Sequence, residues 1–197
     1  MKRPNFFAGQ ILTATDLMAE QEYILERLRR HNRFLHGYGV VCGLWVRCAD
    51  ESEGEITIEP GYAIDPCGNE IFVGGTGCRC NLRELCRPAT PEAGGQLYLA
   101  LRYSPCPVDP VPVAGTPSST EGGEMQASRV ADGFEVGCLR ALPESHQWGL
   151  GRRSRDGKQP IPCPQPPPDG WVVLAKVSLA ERVVRISNRY RLPVSGH

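Results

Sequence analysis

The sequence predicts an α+β, mainly β protein, with one N-terminal amphipathic helix followed by an antiparallel β-sandwich-like core and a long Pro-rich irregular region. Three observations lead there. Apolar residues recur with a 4-3 spacing over residues 15–35. Short alternating or wholly apolar runs, separated by Gly and Pro, fill most of the rest. Finally, 12 of the 18 prolines fall between Pro105 and Pro168, where few regular elements can be built.

The helix is punctuated at both ends. Thr13 is placed to cap the first turn, with Asp16 three residues on to complete a capping box. Leu17, Ile24 and His31 recur every seven residues, and Gln21, Leu28 and Leu35 lie four further on, which makes one seam about three heptads long. Gly37 follows as a left-handed stop. Acidic Glu20, Glu22 and Glu26 precede basic Arg27, Arg29, Arg30 and Arg33, an order that suits the helix dipole. The seam can pack on the chain's own sheet or dock on partner helices. The polar Gln21 and His31 within it favour a register-fixing self-association.

Strands are expected at 40–47, 55–59, 62–65 and 70–73, from the alternation of Ile56/Ile58 and Ile71/Val73. Pro60-Gly61 suits a turn that needs a positive φ, and Pro66-Cys67-Gly68-Asn69 suits a second. The run LYLALRY at 97–103 is apolar on both faces and so reads as a central strand. The chain divides into an N-terminal arm and helix (1–37), a β core (38–103), a Pro/Gly-rich irregular region with one strand at 128–142 (104–170), and a closing hairpin and tail (171–197). Residues 160–168 (PIPCPQPPP) read as polyproline II.

Lys+Arg and Asp+Glu balance at 22 each, so no global field recruits nucleic acid or an acidic membrane. No apolar run approaches the roughly 20 residues of a membrane span, and the start lacks the pattern of an export signal. The expectation is a protein made and folded in the cytoplasm. Arg152-Arg153-Ser154-Arg155 has no aromatic interleaving, which argues against single-strand nucleic-acid binding.

Nine cysteines are many for such a protein. Cys78 and Cys80 lie on the same side of a strand, and Cys67 and Cys86 are near enough in sequence to complete four ligands for Zn or Fe. The spacing lacks the paired knuckles of a zinc ribbon, and small buried thiols are the plainer reading. Cys42, Cys48, Cys106, Cys138 and Cys163 show no ligand-like grouping. His31 and His36 are five apart, so they do not form an i, i+4 metal pair. No hydrolytic or nucleotide-binding motif is present, which leaves no catalytic residue to name and no cofactor to assign.

The runs FFAGQILTATDLMAEQEY, HNRFLHGYGVVCGL and PGYAIDPCGNEI, between Phe6 and Val73, carry a further signal, which continues more weakly at LYLALRYSPCPVDPVPV, SRVADGFEVG and WVVLAKVSL. Together they resemble a family of small structural proteins encoded with phage-tail-like contractile injection systems, with Ala8 standing where the pattern has proline. The resemblance implies a non-catalytic component of a contractile particle that binds baseplate, tube or sheath proteins. It implies assembly in the cytoplasm into a particle that is released or membrane-attached. It also implies a homo-oligomer, with a trimer as the order found in similar baseplate proteins. A reading of a different class, a cysteine-based metal- or redox-binding module on a β scaffold, rests on the thiols alone.

Overall fold

The computed structural model describes residues 2–50, 54–87, 96–113, 125–144, 146, 169–179, 184–191 and 193–194. The polyproline run at 160–168, the arginine patch at 152–155, Cys163 and His197 lie outside them. The described chain is mainly β, with antiparallel sheets and one long N-terminal helix.

Helix α1 spans Ala14–His31. Thr13 caps it reciprocally with Asp16. The Thr13 hydroxyl accepts from the Asp16 N–H at 3.3 Å, and the Asp16 carboxylate accepts from the Thr13 N–H at 2.9 Å. The hydroxyl also donates to that carboxylate at 2.6 Å, and these bonds hold the carboxyl below its ordinary pKa. The α-helix does not run on to residue 35. Asn32–His36 form a π turn, closed by the Gly37 N–H donating to the Asn32 carbonyl at 2.9 Å. Gly37 leaves that turn at φ 76° and ψ −152°, a region that glycine alone enters readily.

The strand expected at 40–47 is two, β1 (Gly39–Gly43) and β2 (Val46–Asp50). The chain returns along them as β3 (Glu55–Ile58) and β4 (Gly61–Ile64), with β2 on β3 and β1 on β4. The four strands are therefore one long hairpin bent over at a corner. The Leu44 N–H donates to the Pro60 carbonyl at 3.2 Å and the Glu59 N–H to the Trp45 carbonyl at 2.8 Å, which carries pairing through the bend. Pro60-Gly61 is thus not the hairpin turn that its composition suggests. The positive φ values lie across from it, at Gly43 (60°) and Leu44 (56°). A Cβ on Gly43 would strike the Pro60 carbonyl, and one on Gly61 the Cys42 carbonyl and Leu44 nitrogen, so the crossing admits only two glycines. Strand β5 (Glu70–Val73) extends the sheet beyond β4, and β6 (Cys78–Asn81) extends the other beyond β3. Asn81 then caps the single turn α2 (Leu82–Leu85).

The same device recurs downstream. Strand β7 (Leu97–Tyr103) runs on as β8 (Cys106–Pro112), and the chain returns as β9 (Met125–Ala131) and β10 (Phe134–Leu139). Strands β10 and β7 pair within the body, while β8 and β9 pair as a two-stranded ribbon outside it. The strand expected at 128–142 is thus the end of β9 plus β10, and only β10 returns to the sheet. Composition alone marks 104–170 as mostly irregular, yet its described residues contain this ribbon. Pro107 and Pro110 are three apart, so in a regular ladder one of the two ring nitrogens would point at β9. Between them Asp109 turns left-handed (φ 53°), while the pairing with β9 keeps one register on either side of it. Its carbonyl accepts from the Ser128 hydroxyl at 2.7 Å, and its carboxylate pairs with Arg129 at 2.7 Å.

Strands β11 (Val172–Leu179) and β12 (Val184–Ser187) complete a four-stranded sheet in the order β10-β7-β11-β12. The central place predicted for LYLALRY is the one observed. Leu97, Leu99 and Leu101 enter the main core with Ile56, Ile58, Ile71, Val73 and Leu174, while Tyr98 and Ala100 pack on the other face beside Val173. Inner faces of all three body sheets share that main core. The C-terminal segment staples the bend: the Asn188 amide accepts from the Val46 N–H and donates to the Val46 carbonyl, both at 3.1 Å. Arg191 donates to the Gly43 carbonyl and lies over the Trp45 ring at 4.4 Å.

Gly61→Ala is expected to lower unfolding free energy by about 2–4 kcal/mol, because the added methyl must part the two backbones at the corner. Urea denaturation measures it. A change within about 0.5 kcal/mol would mean that the corner opens freely.

Candidate functional site

Amphipathic helices beside sheets ordinarily bury their apolar stripe, but no residue of α1 is buried in this chain. All six seam positions are exposed: Leu17, Gln21, Ile24, Leu28, His31 and Leu35. The apolar four are 54%, 49%, 52% and 66% accessible, and Met18 and Leu25 beside them are 66% and 46%. Leu35 lies in the π turn, while the other five lie on α1.

A polar clasp holds this helix. Arg29, Asn32 and Arg33 stand at i, i+3 and i+4, on a face beside the seam and not overlapping it. They meet the turn between β4 and β5. The Arg29 Nε donates to Asn69 Oδ1 at 2.7 Å, the Asn32 amide to the Gly68 carbonyl at 3.0 Å, and Arg33 to the Cys67 carbonyl at 3.4 Å. Glu22 and Glu26 steady the Arg29 guanidinium from the helix side, at 3.3 Å and 3.2 Å. Gly68 has φ 90°, and a Cβ there would strike the Arg29 carbonyl, so the helix end sits directly on the turn backbone.

Asp65 organises the turn from below. Its carboxylate accepts from the Asn69 N–H and from the Asn69 side-chain amide, both at 2.8 Å, and its carbonyl accepts from the Gly68 N–H at 2.9 Å. Burial raises the Asp65 carboxyl pKa, against the lowering effect of those hydrogen bonds. Asn32 and Asp65 are the buried polar residues among those described, and both belong to the clasp. The sequence singles out the segments HNRFLHG and DPCGNE, but not that they meet. A polar trio on one helix turn, off the apolar seam, was the available signal.

The four candidate metal ligands do not converge. Cys86 forms a disulfide with Cys138, which ties the end of α2 to β10 across 52 residues, so its sulfur is committed. Cys78 and Cys80 share the inward face of β6, as period-two alternation predicts, and pack against the core. Burial raises both thiols, Cys80 to about 11 with Cys78 beside it, so they are protonated at neutral pH. Cys67 lies in the clasp turn, where burial also raises its thiol. Among the described residues no group of three or more His, Cys, Asp or Glu side chains is arranged to hold a metal. The π turn does bring His31 and His36 side by side, with ring centroids 5.3 Å apart, because its i to i+5 repeat stacks positions that an α-helix would separate. No helix of the described residues is long and apolar enough to cross a membrane.

No protein-family model and no curated protein matches the chain. Three solved structures are similar to it in fold. A chain of the TssK-TssF-TssG baseplate subcomplex is 12% identical over 95% of this chain and 60% of that one, with a TM-score of 0.48. A chain of the type VI baseplate complex is 10% identical over 95% and 58%, with a TM-score of 0.48. The crystal structure of TssK is 12% identical over 94% and 40%, with a TM-score of 0.49. The chain spans 60% or less of the length of each.

Asp65→Ala should destabilise the protein by about 2–4 kcal/mol, since it strips both Asn69 donors of a buried acceptor. Asp65→Asn tests the titration. The folded pKa lies above the ordinary value of 3.8, so the carboxyl's contribution is fully present below that value and is lost as pH rises through the raised one. The stability advantage of wild type over Asp65→Asn should therefore shrink with rising pH in that window, as followed by urea unfolding. An advantage that grew with pH would place the folded pKa below the unfolded one.

Proposed function

We propose that this chain is a non-catalytic structural component of a contractile phage-tail-like injection particle, assembled in the cytoplasm, and that it acts by binding other particle proteins through α1. The observation that carries the reading is an 18-residue helix with no buried residue, anchored at one end by a polar clasp. An apolar stripe of that length held in water is a binding surface awaiting cover. The resemblance between Phe6 and Val73 supplies the particle, with baseplate, tube or sheath proteins as the partners. The clasp explains why two separated motifs belong to that resemblance, because each supplies one half of the joint that aims the helix.

The reading assigns no cofactor. Metal analysis of the purified, reduced protein should find no stoichiometric metal, and an equivalent of zinc or iron would favour the thiol-based module instead.

Ile24→Ala combined with Leu28→Ala separates docking from folding. Neither residue is buried in the chain, so the pair should change its unfolding free energy by less than about 1 kcal/mol. In an interface that buries both, each truncation should cost about 2–5 kcal/mol. Tagged wild type should co-purify with particle proteins, and the double variant should not. Wild type that fails to enter particles, or a variant that enters as well as wild type, would overturn the reading.

A further inference from the structure

The charges of α1 are segregated along its length. Residues 14–24 carry Asp16, Glu20 and Glu22 and no cation, whereas residues 25–36 carry Arg27, Arg29, Arg30 and Arg33 against Glu26 alone. Two such helices side by side in parallel set acid on acid and base on base. Side by side in opposite directions, they set each acidic half along the other's basic half, and their dipoles oppose favourably.

The seam has the same symmetry. Read in order it is Leu17, Gln21, Ile24, Leu28, His31, Leu35: apolar, polar, apolar, apolar, polar, apolar. The pattern is the same in reverse. Folded antiparallel about the midpoint between Ile24 and Leu28, it sets Ile24 against Leu28, and Gln21 against His31. Gln21 carries both donors and an acceptor for either imidazole nitrogen. Leu17 and Met18 then face Phe34 and Leu35, which are 47% and 66% exposed in the π turn. A parallel pair instead stacks glutamine on glutamine and histidine on histidine. The clasp occupies the Arg29–Asn32–Arg33 face and leaves this seam uncovered.

From these two self-complementary patterns we propose that α1 pairs antiparallel with α1 of a second copy, forming a two-fold dimer. This rests on the reading of α1 as the docking element and names its first partner. The two β bodies then lie at opposite ends of a helix pair roughly 27 Å long, at 1.5 Å per residue.

Sedimentation equilibrium of the full chain under reducing conditions tests it, with far-UV circular dichroism to confirm that the helix persists in each variant. Wild type should be dimeric, and its Kd should rise with salt, because attraction between unlike halves is screened. Glu20→Lys should weaken the dimer several-fold, and so should Arg27→Glu, neither of which touches the clasp; the two together should return it near wild type. A parallel pair responds in the opposite sense. Its Kd falls with salt, and neither reversal weakens it, since each only exchanges one like-charge contact for another. Either result, or a trimeric mass, overturns the antiparallel dimer while leaving helix docking intact. A wild type that is monomeric at all concentrations overturns self-association altogether, and particle co-purification then judges the docking reading separately. The salt response needs no variant, so it decides direction even if a reversal unfolds the helix.

Discussion

Everything outward of the β body depends on the few hydrogen bonds that Arg29, Asn32 and Arg33 make to one β-turn. No residue of the helix is buried, so among the described residues this joint is what sets the direction in which its stripe points. Asn32 does two jobs there: its amide grips the turn at Gly68, while its carbonyl closes the π turn that ends the helix. A polar joint fixes angle better than an apolar one, because each bond has a direction and a buried unpaired member is costly. Asp65 supports the turn from the core side, and the rigidity of the body thereby reaches the helix.

The body reuses one construction. Two long hairpins each begin in one sheet and end in another layer, the first bent at Gly43 and Gly61, the second carried past the body as the β8–β9 ribbon. In the first the bend is stapled by the C-terminal segment through Asn188 and Arg191, and Pro193 bridges to Val40 of β1 beside it. In the second the continuation carries prolines and a left-handed aspartate in place of a glycine pair. The disulfide of Cys86 with Cys138 links the two halves of the body, tying the end of α2 to the end of β10.

Local chemistry was legible in the sequence, and long-range pairing was not. The Thr13–Asp16 box, the alternating strands and the central place of LYLALRY each depend on neighbours within a few residues. Pro60-Gly61 misleads because Pro-Gly fits a hairpin turn locally, and only pairing with Gly43 and Leu44 makes it a corner. The ribbon is hidden by proline content, since only the pairing with β9 shows Cys106–Pro112 to be a strand. Cys86 reads as a ligand beside Cys78 and Cys80 until β10 brings Cys138 to it. His31 and His36 read as unrelated until the helix widens by a residue per turn. At the candidate site the seam was visible as a pattern, whereas the clasp, whose bonds span 34 to 40 residues, was visible only as a resemblance without a cause.

The order of synthesis gives the clasp a temporal consequence. The helix is complete at residue 36, but the turn that anchors it is not finished until residue 69. At 5–20 residues per second the ribosome takes roughly 2–7 s to cover that gap, far longer than the microsecond in which a helix forms. For those seconds α1 is a tethered amphipathic peptide with no fixed bearing on the body. Closure of the joint then aims it.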